Sequence, residues 1–367
     1  MVAADTGGSS RPPGPMMERA LFLAERGRGR TSPNPMVGAV VVSPAGVVVG
    51  QGAHLRAGEP HAEVMALEAA GDKAAGATLY CTLEPCCHVG RTGPCAERIV
   101  SAGVARVVAS MIDPNPRVAG GGFAYLRAHG ITVDVGDGEV DARRLNAPFL
   151  TWVARQRPFI ILKTVQSADG YIGRADAPVR LTGEAADRFF HRQRAEVDAI
   201  AVGSRTVLID DPLLTPRLVY RERPLVRVLF DWRLQIPASA RVFSTRSAGP
   251  VIMVIGQATA AQRPQEIEAR RVSGTEVEIV PDRDIDAALR RLADRGVLSL
   301  LVEGGAVLQS AFAGRGLADR IQHVLTPVHL GSGIAGPKLP GAPAESSPRV
   351  RMLGSDVLTE WDVHGTD

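Results

Sequence analysis

The sequence predicts two α/β domains in series, and three observations support this prediction. At 367 residues the chain is longer than one ordinary domain core. Segments of strand character alternate with segments of helical spacing along most of its length. A polar stretch, 154-ARQRP-158, interrupts this alternation once and is typical of a linker. We therefore expect one domain over 16–153 and a second over 154–367.

The first fifteen residues, MVAADTGGSSRPPGP, predict a disordered tail. They are rich in Gly, Ser and Pro and lack the apolar segment of a signal peptide. No apolar run in the chain approaches the roughly 20 residues that a membrane span needs. We therefore expect a cytoplasmic protein without a membrane partner. Thiols stay reduced in the cytoplasm, so clustered cysteines there favour a metal or catalytic site over a disulfide.

The elements of the first domain follow from periodicity and from turn residues. Helices are predicted at 16–27, 61–71, 94–103 and 122–129, and strands at 78–83, 105–112 and 131–135. Two further strands are expected within 37–50, around a Ser-Pro-Ala-Gly turn, and a polar helix is expected within 139–157. Strands that alternate with helices in this way indicate layers of helix and sheet.

The second domain repeats the alternation without an internal sequence repeat. Strands are predicted at 158–167, 197–203, 225–231, 251–256, 276–280 and 297–303, and helices at 184–196, 260–271, 284–295 and 306–314. The one G-x-G-x-x-G match, 331-GSGIAG-336, is followed by Pro337 and Pro340, so no helix can begin there. We interpret it as a loop and reject a dinucleotide-binding fingerprint at this position.

Composition limits the classes of partner. The formal net charge is only +3 and aromatic residues make up 4% of the chain. A nucleic-acid surface would need a dense basic stripe, with aromatic side chains on which bases stack. The sequence instead suits an enzyme that acts on a small phosphorylated molecule. A zinc-stabilised nucleic-acid-binding module is the non-enzymatic alternative.

The stretch 84-EPCCHVGRTGPC-95 predicts a catalytic zinc site together with the upstream histidine. His61, Cys86 and Cys95 supply three nitrogen and sulfur ligands, which leaves a fourth position for water. Pro94 favours a helix that begins at Cys95, where the helix dipole would lower the thiol pKa. A structural site closed by Cys87 or His88 is the alternative, and Cys81 is expected in the core.

Glu63 is predicted to transfer protons rather than to bind the metal. Residues two apart on a helix do not share a face, so its carboxylate approaches the activated water from another side than His61. The H-x-E and P-C elements agree with the pattern of zinc deaminases, H-x-E with P-C-x-x-C. Here the second cysteine arrives after eight residues instead of two.

These motifs also resemble the bifunctional deaminase/reductase family of riboflavin biosynthesis. The resemblance rests on 31-TSPNPMVGAV-40, 61-HAE-63, 82-TLEPCCHVGRTGPC-95 and 113-DPNPRVAGGG-122, with Cys87, Gly93 and Gly121 as departures. It implies a three-layer cytidine-deaminase-like fold for the first domain. It also implies three contacts to the substrate. Asn34 would bind the pyrimidine and Arg91 would hold the phosphate. His88 would contact the substrate at a part that the resemblance does not specify.

The second half resembles the reductase part of the same family, which has a dihydrofolate-reductase-like fold and uses NADPH. The matching segments are 163-KTVQSADGYIG-173, 198-DAIAVGSRTVLIDDPLLTPR-217 and the turn in 298-LSLLVEGGAVLQSAF-312. The resemblance implies two groups of contact residues. NADPH would be held by Gln166, Arg180, Thr206, Asp210, Gly305, Ala306 and Val307, and the phosphosugar by Arg194, Leu214, Arg217 and Glu303.

One segment departs from the reductase pattern. In 178-PVRLT-182, Pro178 and Arg180 replace a serine and an aromatic residue, and Asp187 stands where an arginine is usual. A monofunctional zinc deaminase, whose second domain only binds a ligand, is therefore kept as the alternative. Lys163 lies in a matching segment without an assigned role.

The resemblance as a whole implies two reactions in sequence. The first is zinc-dependent deamination of 2,5-diamino-6-(5-phosphoribosylamino)pyrimidin-4(3H)-one. The second is NADPH-dependent reduction of the ribosyl side chain, which gives 5-amino-6-(5-phosphoribitylamino)uracil. We expect the enzyme to be a homo-oligomer.

Overall fold

The computed structural model describes residues 12–87, 93–116, 118–344 and 347–364. The chain forms two compact units, one that ends at Arg155 and one that begins at Gln156. Within the described residues, no helix has both the length and the apolar character needed to cross a bilayer.

The first unit is built on a five-stranded sheet in the order β2-β1-β3-β4-β5. Its strands are β1 (Gly38–Val42), β2 (Val48–Ala53), β3 (Thr78–Cys81), β4 (Arg106–Ala109) and β5 (Thr132–Val135). Its helices are α1 (Pro15–Ala24), α2 (Ala62–Ala70), α3 (Cys95–Ser101), α4 (Gly121–Ala128), α5 (Glu139–Leu145) and α6 (Ala147–Arg155). Strand β1 pairs antiparallel with β2 and β3, while β3, β4 and β5 run parallel.

Helices cover both faces of this sheet, which gives the predicted three layers. Alternate residues of β1 point to opposite faces. Ala39 and Val41 join the core formed with α2, α3 and α4, whereas Val40 and Val42 join the core formed with α1. Helix α2 can lie close to the sheet because β2 carries Gly50, where a Cβ would come within 2.1 Å of a helix carbonyl oxygen.

The second unit contains a nine-stranded sheet in the order β11-β10-β9-β8-β12-β6-β13-β16-β15. Its strands are β6 (Phe159–Gln166), β8 (Ala199–Gly203), β9 (Val226–Phe230), β10 (Val251–Gly256), β11 (Glu276–Val280), β12 (Ser299–Gly304), β13 (Arg320–Leu325), β15 (Arg349–Leu353) and β16 (Asp356–Asp362). The seven strands from β11 to β13 run parallel, and β16 and β15 close the sheet antiparallel. Strands β7 (Tyr171–Gly173) and β14 (Ile334–Ala335) form a separate pair.

The helices of the second unit occupy both faces of its sheet. They are α7 (Glu184–Glu196), α8 (Ser204–Asp210), α9 (Gln257–Gln262), α10 (Pro264–Val272), α11 (Ile285–Asp294) and α12 (Ala306–Gly314). The apolar residues of α11 and α12 pack with the central strands in one core, and α7 packs with β13, β15 and β16 in another. The carboxyl ends of the parallel strands meet at one edge, where α/β sheets bind ligands.

Several expected elements differ from those observed. The polar helix expected within 139–157 is two helices, since the Asn146 side chain breaks it to hydrogen-bond both backbone groups of Met36, at 2.8 and 2.9 Å. Helix α6 continues to Arg155, so the expected linker at 154–158 is shorter. The helix expected at 260–271 is split before Pro264 into α9 and α10.

Candidate functional site

Three elements of the first unit bring together a cluster of metal-binding side chains. His61 precedes α2, Cys86 follows β3, and Cys95 opens α3. The Nδ1 atom of His61 lies 3.2 Å from the Sγ of Cys95 and 3.6 Å from the Sγ of Cys86. All three ligand atoms lie within 4.8 Å of one another, the one such group among the described residues. One imidazole and two thiols are the donor set that zinc prefers, so the cluster fits this ion.

The two thiols of the cluster differ in acidity. Cys86 accepts a hydrogen bond from the Cys95 thiol and another from the Cys95 backbone N–H, 3.4 Å away, and these lower the pKa of Cys86 to about 4. The same thiol–thiol hydrogen bond raises the pKa of Cys95. Cys95 thus holds the proton that the two sulfurs share, and Cys86 is the more acidic thiol of the pair.

Glu63 lies in the first turn of α2 with a side chain that is almost fully buried. Burial and, secondarily, the negative charge of Cys86 raise the pKa of Glu63 to about 7. Its carboxylate does not belong to the metal-binding group, although it shares a hydrogen bond with Cys95. Glu63 therefore lies beside the three metal-binding side chains but is not one of them. Cys87 does not join the group either, and His88 lies outside the described residues.

A cavity of about 440 Å³ opens over this cluster. Its wall includes His61, Cys86, Glu63 and the predicted substrate residue Asn34. Trp152 and Phe149 of α6 contribute an apolar side. A ring of pyrimidine size fits such a pocket, in which apolar walls surround a few polar groups. The other predicted substrate residue of this loop, Arg91, lies outside the described residues.

His54 is a polar residue of this wall that the sequence did not single out. It is buried, its Nε2 lies 3.0 Å from the amide nitrogen of Asn34, and its Nδ1 lies 3.1 Å from the carbonyl oxygen of Pro60. Burial lowers the pKa of His54, which favours a neutral ring that donates to Pro60 and accepts from Asn34. The amide orientation of Asn34 is thereby fixed. The one feature of the sequence that could have indicated a role for His54 is its position directly after β2.

Glu84 organises the loop on the opposite side of the cavity. Its buried carboxylate accepts hydrogen bonds from the backbone N–H groups of Asp113, Gly120 and Phe123, at 3.1, 2.9 and 3.1 Å. Asp113 and nearby residues of this loop line the cavity. Glu84 thus connects the loop to the strand end that carries Cys86. The place of Glu84 in the Glu-Pro-Cys motif is the feature of the sequence that could have indicated its role.

A second cavity, of about 510 Å³, lies within the second unit. Five predicted cofactor residues line it: Thr206, Asp210, Gly305, Ala306 and Val307. The turn between β12 and α12 fits close against Thr206, since a Cβ on Gly304 would come within 2.9 Å of the threonine side chain. Gly305 has φ 80°, which favours glycine. The glycines leave room for a phosphate group at the helix start, so the cavity fits a dinucleotide.

Two predicted cofactor residues, Gln166 and Arg180, do not line this cavity. The amide of Gln166 lies between His323 Nε2, at 2.8 Å, and the carbonyl oxygen of Gly170, at 2.9 Å. Arg180 donates to Asp187 at 2.8 Å and to a backbone carbonyl at 3.2 Å. Asp187 and Arg180, which both depart from the reductase pattern, thus form an ion pair with each other. The cavity is lined by Ala177 and Val179 on this side.

The predicted phosphosugar residues lie near one another at the end of β12. Arg194 and Glu303 form a two-pronged ion pair, and Lys163 Nζ lies 3.6 Å from the Glu303 carboxylate. Burial raises the pKa of Glu303, but the charges of Arg194 and Lys163 outweigh this and bring it to about 2. Burial also lowers the pKa of Lys163, which stacks 4.1 Å from the ring centre of Phe190.

Arg217 and Leu214 belong to the loop that follows α8. The backbone N–H of Arg217 donates to His191 Nδ1 at 3.1 Å. Burial is the largest cause that lowers the pKa of His191, and the positive charges of Arg194 and Arg217 lower this pKa further. Leu214 is buried with φ 54°, a strained backbone for a leucine. The loop therefore brings Arg217 close to the side of α7 that carries His191 and Arg194.

Comparisons with protein families match both halves of the chain. Residues 14–111 match the cytidine and deoxycytidylate deaminase zinc-binding region, and residues 158–360 match the RibD C-terminal domain. The bifunctional interpretation predicts two such matches. The metal cluster lies within the first match, and the second cavity lies within the second.

Individual relatives extend over nearly the whole chain. The riboflavin biosynthesis protein RibD of Aquifex aeolicus is 40% identical over 348 residues, 93% of this chain and 96% of its own. The Escherichia coli RibD protein is 39% identical over 355 residues, with the same shares covered. The solved structure of Acinetobacter baumannii RibD, form 2, has 34% identity and a TM-score of 0.81, and covers 94% of this chain and 96% of its own. The chain belongs to the RibD family, the bifunctional zinc-dependent deaminases and NADPH-dependent reductases of riboflavin biosynthesis.

Proposed function

We propose that the first domain, 16–153, hydrolytically deaminates 2,5-diamino-6-(5-phosphoribosylamino)pyrimidin-4(3H)-one. The second domain, 154–367, then reduces the ribosyl side chain of the product to give 5-amino-6-(5-phosphoribitylamino)uracil. The solved relative from Thermotoga maritima is named a diaminohydroxyphosphoribosylaminopyrimidine deaminase/5-amino-6-(5-phosphoribosylamino)uracil reductase, with 33% identity, a TM-score of 0.82, and 94% of this chain and 97% of its own covered. The observation that carries the proposal is the three-donor cluster beside Glu63 in the first cavity.

The deamination rests on the division of roles around that cluster. Zinc held by His61, Cys86 and Cys95 would supply a Lewis acid that activates water toward the ring carbon. Glu63 takes a proton from the attacking water and gives a proton to the ring amino group. The C–N bond then breaks, ammonia leaves, and the water oxygen becomes the new carbonyl oxygen. The buried position of Glu63 beside the donors supports this role.

Asn34 orients the pyrimidine in this proposal. Because one amide N–H of Asn34 bonds to His54, the amide oxygen and the second N–H keep defined directions toward the cavity. An amide offers a donor and an acceptor, which match the edge of a pyrimidinone ring. His88 and Arg91 remain predicted contacts to the substrate, the second of them to its phosphate.

The reduction uses the second cavity for NADPH and the residues at the end of β12 for the phosphosugar. NADPH would supply the hydride for ribose C1′. Thr206, Asp210 and the turn that begins at Gly305 hold the dinucleotide, and Gln166 and Arg180 remain predicted contacts. Leu214, Arg217 and Glu303 contact the phosphosugar substrate, with Arg217 at its phosphate. Arg194, which donates to Glu303 and to the carbonyl oxygen of Thr215, contacts the same ligand.

A paired assay tests both activities in one sample. The diaminopyrimidine substrate is given to the full-length protein, and ammonia release and NADPH oxidation are followed together. We expect ammonia first, then NADPH oxidation in equal amount. A chelator should stop both from this substrate but should leave NADPH oxidation intact when the deaminated intermediate is supplied. Ammonia release without NADPH oxidation on the intermediate would favour the monofunctional deaminase and refute the reductase assignment.

We also propose that the enzyme acts in the cytoplasm as a homo-oligomer without a nucleic-acid partner. The formal net charge of +3 on 367 residues supports the last point, because nucleic-acid binding needs dense positive charge. Light scattering of the purified protein tests the assembly. A mass of 38.8 kDa would refute the homo-oligomer.

A further inference from the structure

The loop that follows α8 carries Arg217, whose side chain is not supported by the rest of the protein. Arg217 is exposed, and within the described residues its guanidinium group makes no hydrogen bond or ion pair. A long side chain on a loop loses conformational freedom when it binds a phosphate, and this loss weakens the binding. A fixed position for the backbone of Arg217 reduces the loss.

Helix α7 holds this backbone through His191. The side chain of His191 is buried, and its Nδ1 accepts a hydrogen bond from the backbone N–H of Arg217 at 3.1 Å. His191 lies one turn before Arg194, so the two side chains share a side of α7. Arg194 donates to the carbonyl oxygen of Thr215 at 3.4 Å, two residues before Arg217. The helix therefore contacts the loop at two adjacent points, on the side where Arg194 pairs with Glu303.

His191 accepts this hydrogen bond in its neutral form. Burial lowers the pKa of His191 most, and the positive charges of Arg194 and Arg217 lower it further. The negative charges of Glu303 and Asp187 oppose this change without reversing it. A neutral ring whose Nδ1 accepts a hydrogen bond carries its proton on Nε2. The ring thus presents an acceptor to the loop, as the backbone N–H of Arg217 requires.

The far end of the same loop is anchored to the same helix. The Nη1 atom of Arg221 donates to three carbonyl oxygens, those of Arg194, Ala195 and Val197, at 2.9, 2.8 and 2.6 Å. These carbonyl groups lie at the carboxyl end of α7, where a cation satisfies acceptors that have no partner within the helix. Arg221 therefore fixes the end of the loop, while His191 acts on the residue that carries the exposed guanidinium group.

We propose that His191 is a positioning residue of the reductase reaction, which holds Arg217 at a fixed spacing from Arg194. The inference rests on the proposed contact of Arg217 with the substrate phosphate and adds the residue that keeps Arg217 in place. Two cations at a fixed spacing bind a phosphate more tightly than two that move independently, because less freedom is lost on binding. His191 acts through Arg217 and does not touch the substrate in this arrangement.

Steady-state kinetics of the full-length protein with NADPH and the deaminated intermediate, 5-amino-6-(5-phosphoribosylamino)uracil, test the proposal. His191→Phe keeps a ring of similar size but removes the acceptor, whereas His191→Asn can place its amide oxygen where Nδ1 lies. Thermal unfolding shows whether each variant folds, and His191→Leu replaces the phenylalanine variant if that one does not. Arg192→Leu is the matched control, since Arg192 is the next residue of α7 and is exposed.

We expect His191→Phe to raise the KM for the intermediate about tenfold, as the loss of one buried hydrogen bond implies, with kcat and the KM for NADPH within about twofold. His191→Asn should bring the KM for the intermediate back to within about threefold of the parent, and Arg192→Leu should match the parent. An unchanged KM for the intermediate in His191→Phe, or an equal rise in the KM for NADPH, would refute the proposal. A KM that His191→Asn does not restore would mean that the ring itself contacts the substrate, which would also refute it.

A double-mutant cycle separates this inference from the proposed function. In an Arg217→Ala background, His191→Phe should change the KM for the intermediate by less than about twofold, because no guanidinium group remains to be positioned. A further tenfold rise in this background, on the order of that in the parent, would show that His191 acts without Arg217 and would refute the inference alone. If Arg217→Ala by itself left the KM of the parent unchanged, the proposed phosphate contact of Arg217 would fail, and the inference with it.

Discussion

Arg194 and Glu303 form a two-pronged ion pair at the end of β12, with Nε–Oε1 and Nη2–Oε2 distances of 2.7 and 2.5 Å. Both side chains are largely buried, and Lys163 lies on the other side of the same carboxylate. A buried pair with good geometry keeps Glu303 ionised and limits the directions in which Arg194 can point. The pair therefore couples the shape of the phosphosugar site to the stability of the second unit.

The ionisation of Glu303 predicts an acid-dependent loss of stability. Its pKa falls from 4.5 in the unfolded chain to about 2 in the folded protein. The folded state therefore gains stability above pH 4.5 and loses it as the pH falls toward 2, by about 3 kcal/mol. Glu303→Gln should reduce the free energy of unfolding by about 3 kcal/mol at pH 7, because it leaves buried cations unpaired. The variant should also flatten the decline of stability between pH 4.5 and 2.

Urea unfolding at several pH values, followed by tryptophan fluorescence, measures this effect. In a Trp152→Phe background the signal comes from Trp232 and Trp361, which both lie in the second unit. Glu268→Gln is the matched control, since its side chain is 65% exposed on α10. The control should keep the slope of the parent. An equal slope in Glu303→Gln would mean that Glu303 does not titrate in this window.

Removal of one donor from the metal cluster should remove the metal. Cys86→Ser replaces a thiolate by a hydroxyl that binds zinc poorly, so we expect the zinc content to fall well below one ion per chain. Cys87→Ser changes the neighbouring thiol, which is not part of the three-donor group, and should retain the metal. Elemental analysis of the purified proteins decides this. Equal zinc loss in both variants would contradict the three-ligand assignment.

Glu63→Ala separates proton transfer from metal binding. The three donors remain in this variant, so the zinc content should stay at the parental value. Ammonia release should fall by at least about a hundredfold, the usual contribution of a general acid–base. NADPH oxidation on the deaminated intermediate should not change. Glu68→Ala, an exposed glutamate of the same helix, is the control and should keep ammonia release. Undiminished release in Glu63→Ala would remove Glu63 from the mechanism.

The sequence predicts the metal cluster well because its signal is local chemistry. His61, Cys86 and Cys95 can be recognised by side-chain type and spacing, and the structure brings them together. His54 and Glu84 escape such reasoning because their roles depend on partners that are distant in sequence. Glu84 binds backbone groups as far away as Phe123, which no periodicity reveals. The acidity of the two thiols also depends on which sulfur donates, and helix position alone does not determine this.

The elements missed by the sequence have two physical causes. Helix α8 and strands β7 and β14 are too short for their periodicity to be distinguished from a loop. No element was predicted beyond residue 314, although β13, β15 and β16 complete the large sheet. Residues of β13 such as Gln322 and His323 interrupt its apolar pattern with polar side chains that are buried or half-buried. Tertiary hydrogen bonds, including those to Glu360 and Gln166, compensate for this polarity.

The turn between β12 and α12 gives a prediction on cofactor binding that does not involve charge. Gly305 has φ 80°, and a Cβ there would lie 3.3 Å from Thr206 Oγ1, so Gly305→Ala strains the backbone by about 1–2 kcal/mol. We expect roughly tenfold weaker NADP⁺ binding, since the turn must shift away from the phosphates. Gly314→Ala at the other end of α12 is the control, because no atom lies within 4 Å of its added Cβ. Isothermal titration should show parental affinity for Gly314→Ala, and an equally unchanged affinity for Gly305→Ala would place the pyrophosphate away from this turn.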